Sequence, residues 1–467
     1  MSTYIPTIGL EVHAELKTRT KMFCDSKNDP DETRPNVNVC PVCMAHPGTL
    51  PVINKEAVKH IVKVGKAVGG SIADFTEFDR KNYFYPDIPK GYQISQYEHP
   101  IVSGGSLDGV ALTRVHLEED TASSSHETGD YSLVDFNRAG VPLMELVTEP
   151  VIKSAKQAGD FARELQLLLR TLGVSEANME KGEMRVEANV SVAPEGSRGT
   201  KVEIKNLNSF RAVEKAIEYE IKRQSEAIEK GDKIVQETRG FDENAGETFS
   251  QRLKETSQDY RYFPEPDLPK LRLSKIEDFQ NLVLPELPWR KRERYAKAYG
   301  IKSEDIEAYV TDQTLGAFFE EVAALLGGDK SLAILASNYV TSDLVGLMKI
   351  FGKAPGLVSP ESFAELMRMA HDGIVSSRGA KDILAALFTF GGNPKKIADE
   401  KGLLQQNDEA TLKVIVQKII SENQKVVVEY KKGKEPAIQF LVGQGMKETK
   451  GSGNPGVLKK IFIELLK

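Results

Sequence analysis

Cysteine, tryptophan and histidine are scarce in this chain of 467 residues, with three, one and seven copies. Three cysteines, all between Cys24 and Cys43, do not make the disulfide framework of a small secreted scaffold, and they point to a reducing compartment. Long apolar runs are missing too. None approaches the ~18 residues that span a bilayer, so neither a transmembrane helix nor a membrane partner is expected. The first residues pass straight into a strand pattern without the basic and apolar segments of a signal peptide, which predicts a cytoplasmic chain. No G-x-x-x-x-G-K-[ST] is present, no G-x-G-x-x-G follows a strand, and H-E-x-x-H and G-x-S-x-G are absent. Any nucleotide chemistry must therefore use a pocket built on something other than those loops. The net charge of −6 excludes a wholly basic nucleic-acid coat.

What the chain does have begins at its first strand, Thr7 to Leu16. Ile8, Leu10, Val12, Ala14 and Leu16 alternate with Glu11, His13 and Glu15. A period of two over this length predicts a strand with one apolar and one polar face. Two carboxylates flanking an imidazole suit a hard divalent cation, a proton transfer or both; as an outward edge they would only be solvated. Further alternating segments repeat the pattern. Arg114, His116 and Glu118 share one face of residues 112–120, which puts Glu118, rather than Glu119, on the side that matters. Glu145 interrupts the apolar run Val141–Val147, and a buried acid costs several kcal/mol unless paired or metal-bound. Arg185, Glu187, Asn189 and Ser191 lie together on Met184–Val192, and Lys201, Glu203 and Lys205 on the next segment. Strands with one polar face belong to antiparallel sheets whose other face packs on a core. Several such faces predict a concave, charged cleft.

Residues 80–97 and 259–267 mix aromatics, prolines and amides without a period and are expected to be rigid surface loops. Such side chains suit stacking on a base as well as packing on one another. Cys40-Pro41-Val42-Cys43 with Cys24 upstream is three-quarters of a structural zinc site. Asp25 or His46 could supply the fourth ligand, and three inert thiols are the alternative. Ser154 to Leu172 predicts an amphipathic helix ended by Gly173, and residues 212–230 another. Past Arg294 the texture is helical, with apolar stripes through Phe318–Leu326, Leu344–Phe351 and Phe363–Met369. In the last 43 residues Lys425, Lys431, Lys432, Lys434, Lys447, Lys450, Lys459, Lys460 and Lys467 face only four glutamates. That asymmetry predicts a polyanion partner for the tail. The glycine-rich turn Gly451 to Gly456, with Lys447 and Lys450 beside it, suits a phosphate at a helix start, although a plain helix cap has the same look.

Several stretches together carry a family likeness: Ile8-Gly9-Leu10-Glu11-Val12-His13, Phe78 to Asp87, Leu117-Glu118-Glu119-Asp120, Asp135-Phe136-Asn137-Arg138, Lys205 to Phe210, Asp259 to Asp267 and Phe440 to Gln444. The chain resembles the GatB subunit of the tRNA-dependent amidotransferase along its whole length. The resemblance implies an α+β fold: an antiparallel-sheet cradle domain over residues 1–293, an all-α domain over 294–405 and a small helical tail of the YqeY type over 406–467. It implies a heterotrimer with an amidase (glutaminase) partner and a small third subunit, working on misacylated Glu-tRNA(Gln) and often Asp-tRNA(Asn). ATP with Mg2+ would phosphorylate the side-chain carboxylate, and ammonia from the amidase would displace the phosphate. Carried over residue by residue, Glu11, His13, Lys81, Glu118 and Glu145 become catalytic candidates. Glu11, His13, Glu118, Glu119, Glu145 and Glu187 become magnesium candidates. Cys24, Cys40 and Cys43 remain zinc candidates, although Ser26 stands where the zinc-bearing pattern has the second cysteine of a C-x-C. Lys447, Lys450, Gly451, Gly453, Lys459 and Lys460 are the tRNA-binding candidates of the tail. Two other readings compete: a tRNA-binding scaffold without chemistry, which should line its sheet with lysines rather than glutamates, and a free-standing metal hydrolase.

Overall fold

The alternating opening segment forms the strand Tyr4–Glu15 at the middle of a ten-stranded sheet. This computed structural model describes residues 4–125, 129–253, 260–352, 355–405, 409–449 and 453–466. Ile8, Leu10, Val12 and Ala14 are at most 1 % exposed, as the parity requires. Met184–Pro194 pairs antiparallel on one side of this strand and Pro142–Thr148 on the other. Beyond Pro142–Thr148 the sheet runs through Val110–Glu119, Val102–Ser103 and Ser71–Ile72. Beyond Met184–Pro194 it runs through Val202–Leu207, Glu237–Asp242 and Glu247–Leu253. Its one parallel pair among the described residues is Val202–Leu207 with Glu237–Asp242. Parallel neighbours need a long crossover, and the helix Phe210–Lys230 supplies it.

Helix Ala155–Thr171 packs on Phe210–Lys230, which in turn packs on Met184–Pro194. Ser154 caps the first of these by accepting the Gln157 N–H at 3.1 Å, and Gly173 follows at φ +66°, the left-handed turn that glycine adopts at no steric cost. The predicted stripe is buried: Phe161, Leu165, Leu168 and Leu169 have no exposed area, and Leu172 has 5 %. The fold is α+β. It divides into two units, residues 1–288 and 289–467, of which the second is helical.

Three expectations need correction. Residues 80–97 are not merely a surface loop, because Asp79–Asn82 and Tyr92–Ser95 form an antiparallel pair in a separate three-stranded sheet. The third strand, Phe263–Pro264, comes from the second aromatic segment, so the two segments are one structure. Second, the apolar stripe at 344–351 is only partly core. Leu344 is buried, but Ile350 and Phe351 are 74 % and 51 % exposed, and Leu325 at the end of the preceding stripe is exposed too. A π-type turn at Tyr339–Leu344 inserts a residue and rotates the helix Val345–Phe351 off the core. Third, one helical run, Lys330–Phe351, is long and apolar enough to cross a membrane by length and composition. Ala333, Ala336, Tyr339, Val340 and Leu344 are buried within its own unit, and Asp343 pairs with Lys381 at 2.8 Å.

The last four helices, Glu409–Glu422, Gln424–Lys431, Pro436–Glu448 and Pro455–Leu466, share a core of Leu412, Val416, Ile419, Leu441, Leu458 and Phe462. Lys450, Gly451 and Lys467 of the tail, and Asp259 of the second aromatic segment, lie outside the described residues.

Candidate active site on the polar face of the sheet

Strand register decides which polar side chains meet. His13 stands opposite Glu145 on one neighbour and Arg185 on the other. Glu145 stands opposite His116, and Leu143 opposite Glu118. Four expected residues therefore converge although 134 positions separate the first from the last in the chain. His13 Nε2 is 3.8 Å from Glu11 Oε1, 3.6 Å from Glu118 Oε1 and 3.5 Å from Glu145 Oε2. Glu118 is fixed by the Ser95 hydroxyl, which donates to Oε2 at 3.1 Å.

Burial and crowding set the charge state of this group. Burial, and then the Glu145 carboxylate, pushes Glu11 up to about 7. Glu118 is pushed up for the same two reasons. Burial alone would lower His13, yet its hydrogen bond with Glu145 and the carboxylates of Glu118 and Glu11 lift it to about 9. Burial would raise Glu145, but the imidazoles of His116 and His13, with Lys81, hold it well below the usual carboxylate range. Carboxyls pushed up first by burial and then by a neighbouring carboxylate make an arrangement that a cation would relieve. Glu11, His13 and Glu145 place one donor atom each within 4.8 Å of one another, and so do His116, Glu118 and Glu145. The carboxylate oxygens of this group suit a magnesium ion that keeps part of its water shell, with the imidazole as a softer donor beside them.

Lys81 reaches this group from the separate sheet, where its strand residue is opposite Gln93. Its Nζ lies 5.0 Å from the ring centre of Tyr260 and 5.8 Å from that of Tyr83. Burial would lower its pKa, but Glu118 and Glu145 raise it, so the ammonium stays charged. Arg80 fastens the two aromatic segments together with a forked pair to Glu265 at 2.7 and 2.8 Å. Asn82 adds bonds to the carbonyls of Tyr260 and Arg261.

The other candidates lie apart from this group or beside it. Glu187 is next to Glu11 in register and pairs with Lys205 at 2.9 Å. Glu119 points away. It accepts from Ile94 N–H at 2.9 Å and pairs with Lys90 at 2.6 Å, and it lines a cavity of about 230 Å³ with Cys24, Cys43 and His46. The three cysteine sulfurs are mutually within 4.8 Å, and Cys40 and Cys43 are 3.8 Å apart, close to the edge of a zinc tetrahedron with Zn–S of about 2.3 Å. Neither Asp25 nor His46 belongs to that group. Ser26 Oγ and Lys21 Nζ each approach Cys43 Sγ to 3.7 Å. In the tail, Lys447, Lys459 and Lys460 are exposed on helices while Gly453 is buried. The N–H groups of Gly456 and Val457 at that helix start are taken by Asn454 Oδ1, so an anion would have to compete for them. Sequence reasoning noted Arg114 and His116 on the face without assigning them a role, and it missed Ser95, whose partners are 21 and 23 positions away.

An acid-lined sheet with a half-buried lysine beside it suits a catalytic domain that handles charged groups, and comparison gives its family. Residues 6–277 match the model of the GatB/GatE catalytic domain, and residues 317–466 that of the GatB domain. Proteins from Persephonella marina and Caldanaerobacter subterraneus are each 45 % identical to the chain, over 99 % of both sequences. One from Crocosphaera subtropica is 44 % identical over 99 % of the chain and 98 % of its own length. All three are named as the B-type subunit of aspartyl/glutamyl-tRNA(Asn/Gln) amidotransferase. The chain belongs to this GatB family, and so is an enzyme component of the carbon–nitrogen ligase class that works alongside other subunits.

Proposed function

We propose that this chain is the subunit in which a misacylated tRNA, Glu-tRNA(Gln) and often Asp-tRNA(Asn), is activated by ATP and amidated. The reading places it in the cytoplasm, in a heterotrimer with an amidase partner and a small third subunit. One oxygen of the substrate side-chain carboxylate attacks the terminal phosphorus of ATP, and ADP leaves. Ammonia supplied by the amidase then attacks the acyl carbon, phosphate departs and a proton is lost, which leaves the amide.

The observation that supports this best is the convergence of Glu11, His13, Glu118 and Glu145 on one point, with Lys81 beside it. Glu11, His13, Glu118 and Glu145 would hold magnesium, with Glu187 next to Glu11, whereas Glu119 is engaged by Lys90. Magnesium, when bound, would supply the positive charge that lets an anionic phosphate sit beside these carboxylates. Lys81 contributes a fixed positive charge to the transferring group, and the tyrosines around it exclude water. Cys24, Cys40 and Cys43 would hold zinc as a brace for the loop they occupy, and the tail lysines would contact tRNA phosphates.

The test is tRNA-dependent ATP cleavage by the assembled complex. Glu11→Gln and His13→Ala are expected to lower it by about 10²-fold or more while tRNA affinity changes little. Cleavage at the wild-type rate in both variants would return the chain to the scaffold reading.

A further inference from the structure

Two candidate donor sets overlap on the polar face and share Glu145: Glu11 with His13, and His116 with Glu118. The surroundings of His116 separate them. Arg114 Nε lies 3.3 Å from His116 Nδ1. A guanidinium only donates, so Nδ1 accepts with its lone pair and the ring proton of the neutral imidazole sits on Nε2. That N–H faces Ser95 Oγ at 3.4 Å and Glu145 Oε2 at 3.6 Å. One nitrogen has spent its lone pair on Arg114, and the other carries the proton. His116 therefore has no atom left with which to ligate a metal.

The same guanidinium grips Glu145 from the other side, with Nη2 3.2 Å from Oε1. The other oxygen, Oε2, faces the His116 N–H and lies 3.5 Å from His13 Nε2. Histidines that support metal sites through an N–H to a ligating carboxylate are usually found one layer out from the ion, where they fix orientation rather than bind. Resting on the magnesium reading above, we infer that Arg114 and His116 are positioning residues. Arg114 selects the His116 tautomer, and together they aim Glu145 Oε2 towards His13, so that the cation is held through one imidazole and not two.

Manganese(II) serves as the probe, bound to the complete complex and read by pulsed electron paramagnetic resonance. The wild type is expected to show nitrogen coupling from a single imidazole. His13→Ala should abolish that coupling. His116→Gln, whose amide N–H can stand in for the ring N–H, should keep it. Arg114→Lys keeps the charge but loses the fork, and should weaken manganese binding about tenfold or more with the single coupling unchanged. Two imidazole couplings in the wild type, a measurement that needs no variant to fold, would overturn the inference and leave the cation reading standing. So would coupling that survives in His13→Ala and vanishes in His116→Gln. Failure of the wild type to bind manganese at all would remove both.

Discussion

Glu15 continues the polar face one position of the same parity beyond His13, yet its surroundings differ. Burial, and then the neighbouring carboxylate of Asp120, pushes its carboxyl up to about 8. Asp120 is held down because Arg185 lies 2.7 Å away and Arg138 3.6 Å away. The sign follows from proton binding. An acid whose folded value is raised above 4.5 costs nothing below that pH, becomes destabilising as pH rises towards 8, and stays so above. Glu15→Gln should therefore leave thermal stability unchanged at pH 4 and raise it at pH 8.5 by at least about 1 kcal/mol, or some 2 °C in Tm. A melting curve at the two pH values decides, and equal shifts would refute the assignment. Most of this face was legible from parity, because a strand in a half-buried sheet admits one solution for Glu11, His13, Glu118 and Glu145. Parity was silent on Lys81, whose short strand has no alternating apolar partner, and family likeness alone pointed to it. It was equally silent on the roles of Arg114 and Ser95, which follow from cross-strand distances that no local pattern encodes.

At the scale of elements, the apolar period and the helix caps were readable, whereas the aromatic segments were not. Residues 79–97 form strands with little periodicity because their polar side chains are satisfied at long range. Gln93 donates to the Glu119 carbonyl at 2.7 Å, Gln96 to Thr76, and Ser95 to Glu118. Arg80 is the fastener, lying under Tyr92 at 4.3 Å from its ring centre and gripping Glu265, whose side chain is fully buried. Removing one partner of such a pair strands a buried charge at a cost of about 3–5 kcal/mol. Arg80→Met should therefore speed hydrogen exchange in the segment 260–267 while the core of Tyr4–Glu15 stays protected; unchanged exchange there would mean the fork holds nothing. Leu165→Ala makes the opposite comparison. Its side chain is fully buried, so the change should cost about 2–5 kcal/mol in chemical denaturation, and folded protein should keep its tRNA-dependent ATP cleavage at saturating substrate.

For the whole molecule, the charge balance hides an uneven distribution. A net charge of −6 would repel a polyanion, and the acid-lined sheet cannot supply its affinity. On the proposed reading the tail supplies it, through lysines spread over helices that share a core of their own. Not all of those lysines are free for a phosphate: Lys434 pairs with Glu429 at 3.5 Å, Lys460 with Glu409 at 3.4 Å, and Lys418 with Glu448. Lys432, Lys447 and Lys459 are exposed and are the ones to test. Surface substitutions of this kind leave stability within about 0.5 kcal/mol, so Lys432→Gln, Lys447→Gln and Lys459→Gln can be combined in the intact complex. Each phosphate contact contributes roughly 0.7–0.9 to the slope of log affinity against log salt. If all three touch tRNA, the triple variant should bind more weakly at low salt, with a slope shallower by about 2–3. ATP cleavage at saturating tRNA should persist, because the proposed reacting groups lie on the sheet. An unchanged slope would take the polyanion surface away from these three positions, and a loss of cleavage at saturation would mean that the tail does more than hold the substrate.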